Sequence, residues 1–285
     1  MIPASFDYVR AVSLRDALNA LAAGDGSKIL AGGHSLLPMM RFRLAQPARL
    51  VDVSDLSELR GVAEYRKGAR IGATTTYRDL LDSALLRERF PLIIECTENI
   101  GDLQVRNRGT VGGSLAHADP ASDLPSVMLV LDATFNLRSK RGKRSVPARE
   151  FFLGPFATVL AEDEMLIDIA LPATPKGAGS AYVSQDQAAS GYVLAGAAAV
   201  VARTRKTVSH AAVALAGVGD VSRLVASADQ LVGSKGEPEV IGRVAAGAAE
   251  GIEISGDIHA SAEYRRHLAT VMVRRALQKA LERAS

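Results

Sequence analysis

Residues 31–38 read Ala-Gly-Gly-His-Ser-Leu-Leu-Pro, with two adjacent glycines directly after a predicted strand. The apolar segment 28–31 predicts a short strand that runs directly into the glycine pair. Adjacent glycines permit positive φ and leave no side chain in the way of a close ligand. Successive backbone N–H groups in such a turn can converge on an anion, and Ser35 adds a hydroxyl donor. The stretch therefore predicts a phosphate-binding loop.

A second glycine stretch, Gly-Thr-Val-Gly-Gly-Ser-Leu-Ala over residues 109–116, repeats this design with Thr110 and Ser114 as hydroxyl donors. Taken alone, either stretch is more simply a tight turn between two secondary-structure elements. Together they favour a dinucleotide ligand, because a dinucleotide has two phosphates and two ends. Asp123 follows shortly after and could cap the next helix or accept a hydrogen bond from a ribose hydroxyl.

The other nucleotide-binding signatures are missing from the sequence. No Gly-x-Gly-x-x-Gly follows a predicted strand, and no Gly-x-x-x-x-Gly-Lys-Ser/Thr occurs. The nearest imitation, Gly217-Val218-Gly219, lacks the third glycine. These absences argue against a Rossmann domain.

The composition of the 285 residues is that of an ordinary globular protein, with 48% hydrophobic and 23% charged residues. The net charge of +3 is spread along the chain, so nucleic acid is not an expected partner. The N-terminal residues lack a charged leader and an apolar core, so a signal peptide is not expected. Because a membrane helix needs roughly 20 apolar residues, the longest apolar run, 192–202, is too short, and we expect no membrane span.

Cys96 is the only cysteine in the chain. A single thiol excludes a disulfide within the chain and an all-thiolate iron–sulfur cluster, which needs about four cysteines. A reducing, cytoplasmic setting is therefore expected. The histidines show no metal-ligand spacing, so no metal site is predicted.

Local sequence patterns predict a mixed α+β chain. Helices are expected over 12–23, from 77 onward, and over 91–100, 124–132, 225–232, 239–250 and 261–283. Strands are expected over 28–31, 50–53, 70–75, 134–138, 143–146, 165–171, 192–203 and 208–217. Residues 172–177 look like a linker, and the chain divides into three blocks, 1–58, 59–175 and 176–285.

Taken together, the motifs resemble one known family. They are Ala31-Gly-Gly-His-Ser-Leu-Leu-Pro38, Arg108-Gly-Thr-Val-Gly-Gly-Ser114 with Asp119-Pro120 and Asp123-Leu-Pro125, and the C-terminal stretch Gly256–Ala276. Over nearly its whole length the chain resembles the flavin-binding medium subunits of molybdenum hydroxylases. The pattern is most similar to that of aerobic carbon monoxide dehydrogenase, and the flavin domain of xanthine dehydrogenase is a more distant relative.

The resemblance implies an α+β architecture with an FAD-binding fold of the vanillyl-alcohol-oxidase type. Two α+β subdomains, 1–58 and 59–175, would enclose the cofactor. A C-terminal domain, 176–285, would add a small antiparallel sheet and helices. Some relatives of the broader fold attach flavin through a histidine, but this subfamily resembles the non-covalent type, so His34 is not expected to form a bond to FAD.

The resemblance also implies which residues bind FAD. Both glycine stretches would wrap the pyrophosphate and neighbouring atoms, through Ala31, Gly32, Gly33, His34, Ser35, Thr110, Val111, Gly112, Gly113 and Ser114. Asp123 would lie near the sugar or ribityl region, Ile167 beside the cofactor as a backbone contact, and Tyr192 against the isoalloxazine ring.

The chain departs from the family pattern at two places. Family members often have Asn where this chain has Ser114, and a frequent family lysine is replaced within 184–187, which leaves the contact with the flavin there open. Two nearby arginines, Arg106 and Arg108, either solvate the second stretch or contact the cofactor or a partner.

By this resemblance the chain is the electron-transfer subunit of an oxidoreductase, and none of its residues needs to act as an acid or a base. Its partners would be a large molybdenum-cofactor subunit and a small subunit with two [2Fe-2S] clusters, assembled as a dimer of heterotrimers. Electrons would pass from the clusters to FAD and then to an external acceptor. Two alternatives stay open, a free-standing flavin-dependent oxidase or reductase and an assembly scaffold without a cofactor. The sequence predicts neither the substrate nor the acceptor.

Overall fold

The computed structural model describes residues 2–24 and 26–285. Its first unit is built on three parallel strands, which lie in the order β1-β3-β2: β1 Asp7–Arg10, β2 Ser27–Leu30 and β3 Arg49–Asp52. Parallel neighbours need crossover connections, and helices α1 (Leu14–Ala22) and α2 (Leu36–Arg41) supply them. The first glycine stretch therefore lies at the carboxyl end of β2, the end at which open parallel sheets bind ligands.

The second unit contains an antiparallel sheet of five strands. In sheet order they are β4 Val62–Tyr65, β5 Gly68–Gly72, β10 Met165–Leu171, β6 Thr134–Ser139 and β7 Gly142–Pro147. Six helices connect β5 to β6: α3 Tyr77–Asp82, α4 Ala84–Arg89, α5 Pro91–Asn99, α6 Leu103–Arg108, α7 Val111–His117 and α8 Leu124–Val130. Helix α9 (Ala148–Phe151) and the short pair β8 (Phe152–Gly154) and β9 (Ala157–Thr158) follow β7. One hydrophobic core joins this sheet to the helices.

The third unit contains a four-stranded antiparallel sheet and two helices. The strands are β11 Ala178–Asp186, β12 Val193–Thr204, β13 Thr207–Ala216 and β14 Arg223–Leu224, and the helices are α10 Pro238–Ala246 and α11 Ala262–Arg283. Since side chains of a strand alternate between its faces, β12 contributes to two cores. Ala195, Ala197 and Ala199 pack under α11, whereas Ala198 and Val200 pack into the core of the second unit.

The α+β class, with an FAD-type pair of units and a C-terminal antiparallel sheet with helices, is confirmed. Several elements were not predicted, namely β1, β4, α2, α4, α6, α7, α9, β8, β9, β11 and β14. The predicted helix at 225–232 is a 3₁₀ helix over Ala226–Leu231, and another short 3₁₀ helix covers Ser57–Leu59. Among the described helices, none combines the length and the apolar character that a membrane crossing requires.

Candidate cofactor-binding site

The first glycine stretch presents a row of free backbone donors. Within the described part of the chain, the N–H groups of residues 32–35 have no protein acceptor. Gly33 lies in the left-handed region with φ of 77°, which favours glycine. Its carbonyl accepts from the N–H of Leu37 at 3.0 Å, and this bond begins α2. His34 is exposed, while Ala31 and Ser35 are half-buried. Free successive amides at a surface turn suit an anion.

The second glycine stretch uses its amides internally. Thr110 caps α7, and its hydroxyl accepts from the N–H of Gly113 at 3.2 Å. The N–H of Val111 donates to the carbonyl of Thr75 at 3.0 Å, and that of Gly112 to the carbonyl of Ala73 at 2.9 Å. Gly112-Gly113 is thus the first turn of a helix rather than the turn that the sequence predicts. The second stretch therefore does not repeat the design of the first.

What the second stretch offers a ligand is hydroxyl groups and an exposed glycine surface. The hydroxyl of Ser114 lies 2.8 Å from the hydroxyl of Ser122. Gly113 is exposed, and a Cβ atom placed on it would meet only the hydroxyl of Thr110, at 2.7 Å. Gly112, in contrast, is buried, and a Cβ on it would lie 2.5 Å from the Cβ of Ala73.

The two glycine stretches are in direct contact. A Cβ on Gly32 would collide with the carbonyl oxygen of Arg108 and would lie 3.0 Å from the Cα of Gly109. Only glycine fits at position 32, because the backbone of Arg108 and Gly109 occupies the space that a side chain would need. The free amides of the first stretch consequently lie beside the start of the second.

Ala73 joins the second stretch to Ile167. The N–H of Ala73 donates to the carbonyl of Ile167 at 3.0 Å, and its own carbonyl accepts from Gly112. The register of β10 shifts between Leu166 and Asp168, and such a bulge re-aims the residue in between. The side chain of Ile167 packs, with that of Ala31, against the core of the first unit. The structure thus brings Ile167 close to both stretches.

Asp123 is buried and bonded to the third unit. Its side chain does not cap α8, although it stands at the N-cap position, so that alternative from the sequence is wrong. Instead Oδ1 accepts a hydrogen bond from the hydroxyl of Tyr182 on β11. Burial raises the pKa of Asp123 to about 7, the Tyr182 bond acts to lower it, and the carboxylate of Asp186 acts to raise it.

Tyr192 follows a tight turn at the start of β12, where its carbonyl accepts from the N–H of Gln187 at 2.8 Å. Its side chain is 54% exposed. Partial burial raises the pKa of Tyr192, and the nearby carboxylate of Asp119 raises it further. Burial raises the pKa of the buried Tyr77 to about 12, and the hydroxyl of Ser114 acts to lower it. The nearby Tyr192 also contributes to raising the pKa of Tyr77. Tyr192 therefore lies on the side of the second stretch.

Two residues near the site have positions that the sequence did not predict. Thr74 is 5% exposed, and its hydroxyl has no hydrogen-bond partner among the described residues. It belongs to a run of three threonines next to Ala73, and this run is the sequence feature that could have indicated a polar group here. The guanidinium of Arg106 donates to the carbonyls of Ile100 at 3.2 Å and Gly101 at 2.8 Å, so it caps the end of α5.

These features fit a bound phosphate-containing cofactor. The free amides of residues 32–35 supply donors, the orphaned Thr74 hydroxyl supplies a further polar group, and Gly113 leaves open space above the second stretch. A buried hydroxyl without a partner is costly, and a ligand is one way of satisfying it.

Two family models together match almost the whole chain. Residues 4–174 match the FAD binding domain in molybdopterin dehydrogenase. Residues 181–280 match the C-terminal domain of the CO dehydrogenase flavoprotein. The protein belongs to the FAD-binding medium subunits of the molybdenum hydroxylases, a family of oxidoreductase subunits.

Individual relatives agree with this family. The chain is 39% identical over 287 aligned residues to the carbon monoxide dehydrogenase medium chain of Hydrogenophaga pseudoflava, and the alignment covers 100% of both chains. It is 36% identical to the 6-hydroxypseudooxynicotine dehydrogenase complex subunit alpha of Paenarthrobacter nicotinovorans, with 100% of this chain and 97% of the relative covered. The solved carbon monoxide dehydrogenase of H. pseudoflava superposes with a TM-score of 0.97, at 39% identity and 100% coverage of both chains.

Proposed function

We propose that this chain holds FAD non-covalently between the two glycine stretches and carries electrons from a partner subunit to an external acceptor. The observation that carries the proposal is the contact of Gly32 with the backbone of Arg108 and Gly109. The free amides of residues 32–35 therefore lie beside the start of the second stretch. FAD supplies the redox chemistry when it is bound, and the protein supplies position and electrostatics.

The proposed roles follow the geometry. Ala31 to Ser35 bind the pyrophosphate mainly through backbone N–H groups, and Thr110 to Ser114 close over it from the other side. The hydroxyls of Ser35 and Ser114 are further donors. Ile167 lies beside the cofactor between the two stretches. Residues 1–58 and 59–175 are the two cofactor-binding subdomains, and 176–285 is the third domain.

The third domain is proposed to complete the site through Tyr182, which bonds Asp123, and through Tyr192. The oxygen of Asp123 that Tyr182 does not use is available to a sugar or ribityl hydroxyl. We propose that Tyr192 lies against the isoalloxazine ring, and its 54% exposed side chain supports this role. An aromatic face next to a flat heterocycle gains from offset stacking.

If the chain works in a molybdenum hydroxylase, its electrons come from another polypeptide, because this chain has one cysteine and an all-thiolate cluster needs about four. The names of its relatives, a medium chain and a complex subunit alpha, describe parts of larger assemblies. We propose a large molybdenum-cofactor subunit and a small [2Fe-2S] subunit as partners, in a dimer of heterotrimers. Cys96 is a free, buried thiol, which supports a reducing, cytoplasmic setting.

The visible spectrum of the purified full-length chain tests this proposal. We expect a flavin absorbance, about one FAD per chain, and release of the flavin by acid precipitation, which a covalent bond would prevent. The isolated chain should not turn over a small substrate, and electrons should reach its flavin only when both partner subunits are added. A chain that stays colourless after incubation with FAD would favour the scaffold alternative, and turnover by the chain alone would favour a free-standing enzyme.

A further inference from the structure

Arg265 of α11 is a buried charged residue with contacts to three separate segments. Its side chain is 9% exposed. Nη1 donates to the carbonyl of Leu194 at 2.8 Å and to the carbonyl of Gly217 at 2.8 Å. Nη2 donates to Oδ2 of Asp257 at 2.7 Å. A buried guanidinium is stable only when it is paired and hydrogen-bonded. These contacts use three of its five N–H donors, and Nε has no partner among the described residues.

The first carbonyl connects Arg265 to Tyr192. Leu194 lies two residues after Tyr192, at the start of β12. The turn that ends at Tyr192 is otherwise held by short-range bonds, from the N–H of Gln187 and to the hydroxyl of Ser190. The bond from Arg265 is therefore a long-range tie on the strand end that carries Tyr192.

The second carbonyl connects Arg265 to the second glycine stretch. Gly217 adopts φ of 73°, and a Cβ on it would lie 2.7 Å from the carbonyl oxygen of Val193, so this turn crosses tightly over the start of β12. Its N–H donates to the carbonyl of Pro120 at 3.1 Å. Two residues further on, Ser122 shares a hydrogen bond with Ser114 of the second stretch.

From these contacts we propose that Arg265 is a positioning residue for the cofactor site: it fixes Tyr192 of the third domain relative to the second glycine stretch. The inference rests on the proposed function, since it gives Tyr192 a cofactor to face. The planar fork of Arg can reach two carbonyls and one carboxylate at once, whereas the single ammonium of Lys cannot hold the same geometry. Arg265→Lys should therefore keep the charge and lose the alignment.

The test uses the full-length chain with FAD in four forms: wild type, Arg265→Lys, Arg265→Met, and Arg266→Met as the control. Arg266 is the exposed neighbour, with one long contact of 3.4 Å to the carbonyl of Ala249. We expect both Arg265 variants to weaken FAD binding about tenfold, the size of losing a charged hydrogen bond, and to increase flavin fluorescence because Tyr192 no longer lies against the ring. Arg266→Met should match the wild type in both readouts.

A double mutant separates positioning from general stability. If Arg265 acts through Tyr192, then Arg265→Lys should not raise the flavin fluorescence further in a Tyr192→Ala background, since the two residues are coupled. Equal increases in both backgrounds, or a lower melting temperature with unchanged flavin fluorescence, would overturn the inference. A wild-type chain that binds no FAD would instead contradict the proposed function itself.

Asp257→Asn keeps the test decisive if the Arg265 variants do not fold. The amide oxygen of Asn can still accept from the N–H groups of His259 and Ala260, which Oδ1 of Asp257 accepts now. The change therefore replaces the Oδ2 acceptor of Arg265 by an amide NH2, which carries no charge and cannot accept from Nη2. A smaller increase in flavin fluorescence supports the inference, and a folded Asp257→Asn chain with wild-type affinity and fluorescence overturns it.

Discussion

Gly32 lies so close to Arg108 that a single added methyl group would collide with the Arg108 carbonyl oxygen. This contact holds the free amides of the first glycine stretch beside the second. Gly32→Ala should push the two stretches apart, lower the free energy of unfolding by about 1–3 kcal/mol as overpacking does, and reduce the FAD bound per chain. Flavin absorbance and thermal unfolding measure the two effects.

Gly142→Ala is the matched control for that change. Gly142 is the first residue of strand β7, and a Cβ on it would have no heavy atom within 4 Å. Its flavin content and melting temperature should equal those of the wild type. Full flavin content in Gly32→Ala would show that the contact between the stretches does not shape the site.

The two glycines of the second stretch should have different roles: Gly112 in the fold and Gly113 in FAD binding. Gly112→Ala would force a Cβ to 2.5 Å from that of Ala73, so it should mainly destabilise the fold. The Cβ of Gly113→Ala would meet only the movable hydroxyl of Thr110, so this change should cost about 1 kcal/mol of stability through the helix cap. Because it fills the open surface, it should weaken FAD binding more than Gly112→Ala does. Chemical denaturation and FAD titration of both variants give the comparison, and equal FAD affinity in Gly113→Ala and the wild type would contradict a ligand above this residue.

Much of the fold can be predicted from local patterns because those patterns are strong. Ser13 followed three residues later by Asp16 is a pattern typical of a helix start, and the Ser13 hydroxyl does accept from the N–H of Asp16 at 3.1 Å. Four apolar residues of α1 have the spacing of one helix face, and all four are buried: Leu14, Ala17, Leu18 and Leu21. The two long strands β12 and β13 and the closing helix α11 also lie within a few residues of their predicted bounds.

The missed elements are those in which tertiary contacts override local preference. Two adjacent glycines disfavour a helix, yet α7 begins there because Thr110 caps it and because Gly112 fits against Ala73. The free amides of the first stretch and the bonded amides of the second come from nearly the same residue string. The segment 73–75, which accepts from the amides of the second stretch, makes the difference.

The surroundings of the candidate site residues depend on pairings that no spacing reveals. Asp123 meets Tyr182 across 59 residues of sequence, and Arg265 meets Leu194 across 71. The residue types at the glycine stretches indicate a phosphate ligand. The bond between Ala73 and Ile167 and the hydroxyl of Thr74, unpaired among the described residues, can be seen only in the folded structure.

Asp123→Asn should change how stability depends on pH. The pKa of Asp123 is about 7 in the folded protein and about 3.9 in the unfolded chain. The folded state therefore holds the proton more tightly, and this group stabilises the protein at low pH and loses that contribution as pH rises from about 4 to about 7. Asn keeps an acceptor for Tyr182 without the charge, so the variant should be more stable than the wild type at pH 8.

The difference in unfolding free energy between Asp123→Asn and the wild type is the quantity to follow. It should shrink as the pH is lowered from 8 to 5, by at most about 1.4 kcal/mol per pH unit. Tyr182→Phe serves as the companion variant, since removal of the hydroxyl takes away the bond that lowers the pKa of Asp123 and should move the window to higher pH. A difference that is the same at pH 5 and pH 8 would mean that Asp123 does not titrate in this range.

Substitution by Met should affect stability differently at Arg106 and at Arg108. The guanidinium of Arg106 caps α5 through the carbonyls of Ile100 and Gly101, so Arg106→Met should cost about 1–2 kcal/mol of unfolding free energy and leave FAD binding largely intact in the folded fraction. Arg108 has an exposed side chain and contacts Gly32 through its backbone only, so Arg108→Met should leave stability unchanged. Thermal unfolding and FAD titration at a temperature well below the transition measure both. Loss of FAD affinity in Arg106→Met without a change in melting temperature would instead assign Arg106 to the cofactor, because a helix cap acts on folding and not on a ligand.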